Sequence, residues 1–312
     1  FCGVGRFVEM MTFYKYHGAG NDFLIADGRD IDIDLSAGQI ARLCERHTGI
    51  GADGVMVLER SSDADFRMRY YNSDGSGGMM CGNGGRCIVA FAADLGYESF
   101  VFEAPDGQHV AELENSVEAF SAEPRIVRLK MKDVHGVALY ENRTDAMFPD
   151  VFLDTGTRHL VHFVEDVGEC DVVGAGRCLR YDPRFAPQGV NVNFVRVNDF
   201  LPDGNLDIDV RTYEKGVEDE TLACGTGIVA SSMASWIRGV LGGCDRRSGP
   251  VEVSALVHAK IADLRVDFVP HLDVASCQEK TDFQGNETLP FTADNVWLQG
   301  PAVFVARIEV QL

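Results

Sequence analysis

The sequence is short of positive charge: 28 Lys and Arg residues face 48 Asp and Glu, for a formal net charge of −20. Such a surface repels phosphate backbones and anionic headgroups, which argues against nucleic-acid and membrane partners. No apolar run approaches the roughly 20 residues that a helix needs to cross a bilayer. The opening FCGVGRFVEM lacks the basic start and apolar stretch of a secretion signal, so a cytoplasmic chain is expected. The nine cysteines are odd in number, scattered and without a C-x-x-C pair, which disfavours both a disulfide framework and a zinc site. A P-loop, an HExxH helix and a Gly-x-Ser-x-Gly elbow are missing as well. The run Val172-Val-Gly-Ala-Gly176 starts like a dinucleotide turn, but Leu179 stands where the third glycine belongs. No cofactor and no metal are expected, and the partner implied is a small molecule, with a homodimer admitted but not required.

The 312 residues are 46% apolar and 24% charged, enough for about two globular domains. An internal repeat organises them. CGNGGRCIVAFAADLG at 81–96 is echoed by CGTGIVASSMASWIRG at 224–239, and the preceding DFRMRYYNSDG (65–75) and LDIDVRTYEKG (206–216) both alternate apolar and polar residues before a glycine break. A third echo pairs NDFLIADG (21–28) with NVNFVRVND (191–199). Each half reads as strand, loop, Cys-Gly-x-Gly, helix.

The segments after the two cysteines, Ile88 to Ala93 and Ile228 to Ala234, are apolar or small around the whole helical circumference and belong inside something. Ser231 and Ser232 can bond back to helix carbonyls there. Elsewhere the chain is mainly short strand-like runs, GVMVLE, IVRLKM, VFLDTG, VEVSAL, LRVDFV and AVFVARIEV. One further amphipathic helix is expected at LSAGQIARLCERHTG, with Ser36 as N-cap, Gly49 as stop and Cys44 in the core. The expected architecture is α+β: two pseudo-symmetric domains, each a curled, mostly antiparallel, barrel-like sheet around a central apolar helix. The domains are 11–125 plus 302–312, and 126–301. Residues 1–10 read as a non-native or upstream extension, because Met10 and Met11 directly precede the first strand-like segment.

A cysteine at a helix N-terminus sits where free N–H groups and the helix dipole favour the thiolate. The glycines let backbone amides approach a carboxylate beside the sulfur. Two such sulfurs facing one carbon from opposite sides could remove a proton from one face and deliver one to the other. Sulfurs that share a carbon are also within reach of a disulfide when no substrate lies between them. A single Cys-Gly pair would more often be a small core residue and a tight turn; duplication with matching flanks weighs against that.

These motifs resemble those of the diaminopimelate epimerases: HGAGNDF (17–23), NSDGSGGMMCGNGGRC (72–87) and YEKGVEDETLACGTG (213–227), in order, over nearly all the chain outside the N-terminal stub and an insertion near 271–290. The resemblance implies epimerisation of LL-2,6-diaminoheptanedioate to the meso form without pyridoxal phosphate or metal. It also implies an active site in the cleft between two domains, and a last strand returning to the first. It makes Cys81 and Cys224 the two acid–base groups and puts the amides of Gly82 with Asn83, and Gly225 with Thr226, around the reacting carboxylate. Asn21, Asn72 and Asn191 would hold the substrate amino and carboxyl groups, although alone each is an ordinary turn residue. Glu214 would bind the reacting amino group and, with His159, tune the thiols.

The chain departs from the family pattern in places. Lys215 replaces the Arg that clamps the distal carboxylate, keeping the charge and losing the bidentate fork. Thr157 and Arg158 replace Asn and Pro before His159, and Arg158 could supply part of the clamp. Gly54 stands where a Gln is usual. A proline or hydroxyproline racemase is the nearest rival; a non-catalytic binding protein or a hydrolase with one nucleophilic cysteine is the rival of another class.

Overall fold

The alternating runs form strands because β-branched and aromatic residues on one face can be buried against a shared interior. The structure is a computed structural model that describes residues 10–78, 80–141, 148–201, 204–243, 251–272 and 287–312. All but the last residue of the expected extension at 1–10, and most of the expected insertion at 271–290, lie outside the described residues. The chain divides into two units, residues 1–129 with 301–312 and residues 130–300.

In the first unit the order is β1 (Met10–Gly18), β2 (Asn21–Asp27), α1 (Ala37–Cys44), β3 (Gly54–Glu59), β4 (Phe66–Asn72), α2 (Gly82–Asp94), β5 (Phe100–Ala104), β6 (Gly107–Leu113) and β7 (Arg125–Lys130). The second contains β8 (Val134–Tyr140), β9 (Asp150–Asp154), β10 (Arg158–Phe163), α3 (Val172–Arg180), β11 (Asn191–Phe200), β12 (Leu206–Glu214), β13 (Asp219–Thr221), α4 (Gly225–Leu241), β14 (Val253–His258) and β15 (Asp263–Leu272). A long last strand, β16 (Glu287–Gln311), begins in the second unit and ends in the first.

Each unit is a closed barrel of eight strands. In the first, β1 to β7 follow in sequence, β7 borders β16, and β16 closes on β1 from Met10↔Gln311 to His17↔Val303. In the second, the path runs β8-β9-β10-β11-β12-β14-β15-β16, and β16 closes on β8 through Thr288↔Ala138 and Thr292↔His135. Pairing is antiparallel except at two steps in each barrel, β2 with β3 and β4 with β5, then β10 with β11 and β12 with β14. A parallel step needs a crossover, and the four helices supply all four crossovers. The duplicated topology is the physical content of the sequence repeat.

That topology also corrects the third echo. β2 is the strand that enters a helical crossover, as β10 is, whereas β11 leaves one, as β3 does. NDFLIADG therefore corresponds to β10 rather than to NVNFVRVND.

The helices after the cysteines are the buried ones. Cys87 to Ala92 of α2 are 0% exposed, and α4 is buried at nearly every position, packing against β9 to β12, β14 and β15. Ser231 and Ser232 donate to the carbonyls of Gly227 and Ile228, so their hydroxyls cost little in that apolar setting. The other two helices pack on one face only. Ser36 caps α1 in a full capping box with Gln39, and Ile40, Leu43 and Cys44 join a cluster with Phe13, Leu24 and Val55. The helix stops at Cys44, short of Gly49, because Glu45 turns to φ −62°, ψ 122° and the chain folds back, with the Gly51 amide on the Leu43 carbonyl. The run beginning Val172-Val-Gly is α3, a helix capped by the Asp171 side chain on the Gly174 amide, rather than a dinucleotide turn.

Among the described residues no helix is long and apolar enough to cross a membrane, and no three His, Cys, Asp or Glu side chains converge as metal ligands would.

Candidate active site

In the first unit the site grows from the N-terminus of α2. Cys81 is its N-cap, extended at φ −114°, ψ 156°, and its sulfur accepts the Gly84 amide at 3.3 Å. Gly82 and Asn83 hold the next two positions, where helix geometry provides no intrahelical acceptor for their amides. The HGAGND motif is the β1–β2 hairpin: Ala19 and Gly20 have φ of 51° and 88°, the left-handed pair that a two-residue turn requires. The turn sets Asn21 beside the helix start, and Asn83 Nδ2 donates to Asn21 Oδ1 at 3.4 Å. Asn21 Nδ2 donates in turn to Asp53, which also accepts from Arg46.

Asn72 ends β4 opposite Gly54, but its side chain is engaged by its own loop, donating to Ser76 Oγ at 3.0 Å. Gly54 has no space for a larger residue. A Cβ there would lie 2.6 Å from the Tyr71 carbonyl oxygen and 2.8 Å from the Tyr70 ring.

Arg86 was not singled out by the sequence. It lies one turn into α2 and is 0% exposed; Nη2 donates to Asn83 Oδ1 at 2.7 Å, while Nε and Nη1 have no hydrogen-bond partner. Burial lowers its pKa to about 10, opposed by Cys87 and then Cys81. Burial also pushes the Cys87 thiol well up, so that group stays neutral. A cation enclosed in this way needs a nearby negative group to offset its lost hydration.

The second unit repeats the scaffold with different chemistry. Cys224 is the N-cap of α4 and 8% exposed, with Gly225 and Thr226 in the first turn. Its sulfur lies 3.5 Å from Thr226 Oγ1. Thr226 Oγ1 is 2.9 Å from His159 Nε2 and 3.0 Å from Thr157 Oγ1, and Thr155 Oγ1 donates to the Thr226 carbonyl at 3.0 Å. His159 is 0% exposed, and burial alone lowers its pKa to about 3, so the ring is neutral at ordinary pH.

Asn191 closes the far side. Its Oδ1 accepts the Lys215 amide at 2.8 Å and its Nδ2 donates to the Arg158 carbonyl, so the structure uses it to fix the end of β12. Glu214 is half-buried there and the Lys215 side chain is exposed. Arg158 is held within its own unit, over the Phe152 ring and donating to Gln188 Oε1 at 3.1 Å. Asn193, also missed, is buried against His159. Strand alternation from Asn191 was the signal that could have found it, since residues two apart share a face.

The structure therefore joins Asn21, Gly82, Asn83 and Cys81 around one helix start, and His159, Thr226, Gly225 and Cys224 around the other. Asn72 bonds within its own loop, and Asn191 ties the Arg158 carbonyl to the Lys215 amide. Both cysteines are free thiols.

The profile of the family described as diaminopimelate epimerase matches residues 13–125 and 151–255. A diaminopimelate epimerase from Flavobacterium psychrophilum is 42% identical over 227 residues, spanning 72% of this chain and 81% of that protein. One from Chlorobaculum tepidum is 36% identical over 306 residues, covering 95% and 99%. Among solved structures, a PhzF-family phenazine biosynthesis protein from Bacillus anthracis aligns with a TM-score of 0.65 at 13% identity, over 97% of this chain and 100% of that one. A hydroxyproline epimerase from Agrobacterium vitis aligns with a TM-score of 0.54 at 17% identity, over 97% and 93%. At those identities the structural likeness concerns the fold alone.

Proposed function

The chain belongs to the diaminopimelate epimerase family, and from that membership we propose that it interconverts LL-2,6-diaminoheptanedioate and the meso isomer, with Cys81 and Cys224 as the two acid–base groups. The observation that carries the assignment of the two groups is the duplication: each cysteine is the N-cap of a buried crossover helix, in the same place in each barrel.

The chemistry follows from that placement. One sulfur, as thiolate, takes the α-proton, and the electron pair of the broken C–H bond is delocalised toward the α-carboxylate. The other sulfur, as thiol, gives its proton to the opposite face of the carbon. The first then carries the proton and the second the charge, so the reverse reaction uses the same groups in exchanged roles. First-turn amides of Gly82, Asn83, Gly225 and Thr226 are dipoles of fixed direction, suited to hold the carboxylate as its charge grows. Lys215 would meet the distal carboxylate as a point charge rather than a fork.

The test is incubation of reduced enzyme with the LL isomer in deuterated water, beside Cys81→Ala and Cys224→Ala, with proline as control substrate. Meso product carrying solvent deuterium, lost in both variants, is expected. Turnover by either variant would overturn the two-sulfur mechanism, and turnover of proline alone would move the substrate class.

A further inference from the structure

The side chain on the Nδ1 side of His159 has its hydrogen-bonding direction fixed by a neighbour that can act in only one way. The Leu160 carbonyl can only accept, and it lies 3.3 Å from the Asn193 amide nitrogen, Nδ2. Asn193 Oδ1 accepts from Thr212 Oγ1 at 3.0 Å. The amide is thereby oriented, and the atom 3.1 Å from His159 Nδ1 is a donor. Nδ1 is therefore the bare nitrogen, and the neutral ring carries its hydrogen on Nε2. The groups that surround the ring from β11, β12 and α4 are Asn193, Thr212 and Thr226, all uncharged.

Nε2 faces two hydroxyls, Thr157 Oγ1 and Thr226 Oγ1, each at 2.9 Å. Because the ring can only donate on this side, neither hydroxyl can direct its hydrogen back to it. Thr226 Oγ1 accepts here and retains one hydrogen, for which Thr157 Oγ1 at 3.0 Å and the Cys224 sulfur at 3.5 Å are the acceptors within reach. A thiolate draws that hydrogen, since charge-assisted bonds are roughly twice as strong as neutral ones.

We propose that Asn193 is a positioning residue for Cys224: by locking His159 in the Nε2–H tautomer it turns the Thr226 hydroxyl into a donor aimed at the sulfur and stabilises the thiolate there. The inference rests on reading Cys224 as an acid–base group. It has no counterpart in the first unit, where Asn83 occupies the position of Thr226 and its Oδ1 is taken by Arg86. The site is tightly built, because a Cβ on Gly227 would lie 2.4 Å from Asn193 Oδ1.

The experiment is the pH dependence of iodoacetamide alkylation, without substrate, with the Cys81 and Cys224 peptides quantified separately in wild type, Thr226→Val, Thr226→Ser and Asn193→Leu. Losing a hydrogen bond to a charged sulfur should raise the Cys224 midpoint by about one pH unit or more in Thr226→Val. Thr226→Ser should restore it, Asn193→Leu should shift it the same way, and Cys81 should not move. Ring-nitrogen chemical shifts of His159 in the wild type should show Nε2 protonated and Nδ1 bare throughout the neutral range. An unmoved Cys224 midpoint in folded Thr226→Val, or a ring protonated on Nδ1, overturns the proposal. If Asn193→Leu does not fold, the Thr226 pair and the ring shifts still decide. Because alkylation needs no substrate, failure here is distinguishable from failure to turn over diaminopimelate.

Discussion

The same substitution at equivalent places in the two Cys-Gly-x-Gly turns should have opposite consequences. In Gly227→Ala the new methyl would lie 2.4 Å from Asn193 Oδ1 and 3.3 Å from His159 Cε1. The first distance is about 1 Å inside ordinary contact, and Asn193 cannot swing aside without losing its bonds to Thr212, Leu160 and His159. Overpacking of this kind costs about 1–3 kcal/mol and a lost buried hydrogen bond about 1 more, against roughly 1 kcal/mol returned by replacing a helical glycine. The net loss is about 1–3 kcal/mol, which at roughly 2–4 °C per kcal/mol lowers Tm by several degrees. In Gly84→Ala the methyl would meet Cys81 Sγ at 3.3 Å, and Met56 Sδ and Phe23 Cζ at 3.6 Å, all side-chain atoms that can yield by tenths of an ångström. There the helix-propensity gain balances the contact, and Tm should hold or rise. Calorimetry of both variants, with alkylation of each cysteine, checks this. Equal effects, or a larger loss in Gly84→Ala, would refute the packing argument.

Two further outcomes follow from the buried ionisable groups. Arg86→Met replaces an enclosed guanidinium, two of whose nitrogens are unpaired, by an apolar chain; Tm should hold or rise, since such swaps are often neutral or stabilising, while alkylation of Cys81 moves to higher pH for want of the nearby cation. A large fall in Tm with unchanged Cys81 reactivity would contradict this. Burial lowers the His159 pKa from 6.5 to about 3, so between those values the unfolded chain binds the proton that the folded chain refuses, and stability falls as pH drops through that window. Urea midpoints across it should decline less steeply in His159→Gln, and parallel declines would show that other groups set the acid limb.

Much of this was legible in the sequence because it was written twice. The two Cys-Gly-x-Gly turns, the strands before them and the apolar helices after them could be read from period and repetition, and Ser36 marked a helix start as an N-cap residue. What escaped was set by contacts between segments far apart in the chain. α3 carries two glycines in nine residues and buries only Val172 and Gly176, so neither propensity nor periodicity announces it; its crossover position between β10 and β11 does. The end of α1 is fixed by the chain turning back on Leu43, and the glycine at 54 by the Tyr70 ring. The bonds of Asn191 to the Arg158 carbonyl and the Lys215 amide, which orient its side chain, join segments more than 20 residues apart and were equally out of reach.

Enclosure of a helix in a closed barrel also explains where a reactive group can be. α2 and α4 are apolar around most of their circumference, and on their flanks Ser231 and Ser232 are bonded back to the helix itself and Arg86 to its first turn. Their first turns are different, because the leading amides have no partner in the helix and an apolar interior cannot supply one. Something must accept those hydrogens: Cys81 takes the Gly84 amide on its sulfur, and an anionic ligand can take others. The fold thus creates two anion-seeking ends, and the residues around each decide its acidity. Beside Cys81 there is a buried guanidinium; beside Cys224 there is an uncharged relay ending in a hydroxyl. The two cysteines therefore meet different electrostatic surroundings, a cation on one side and a neutral hydroxyl donor on the other.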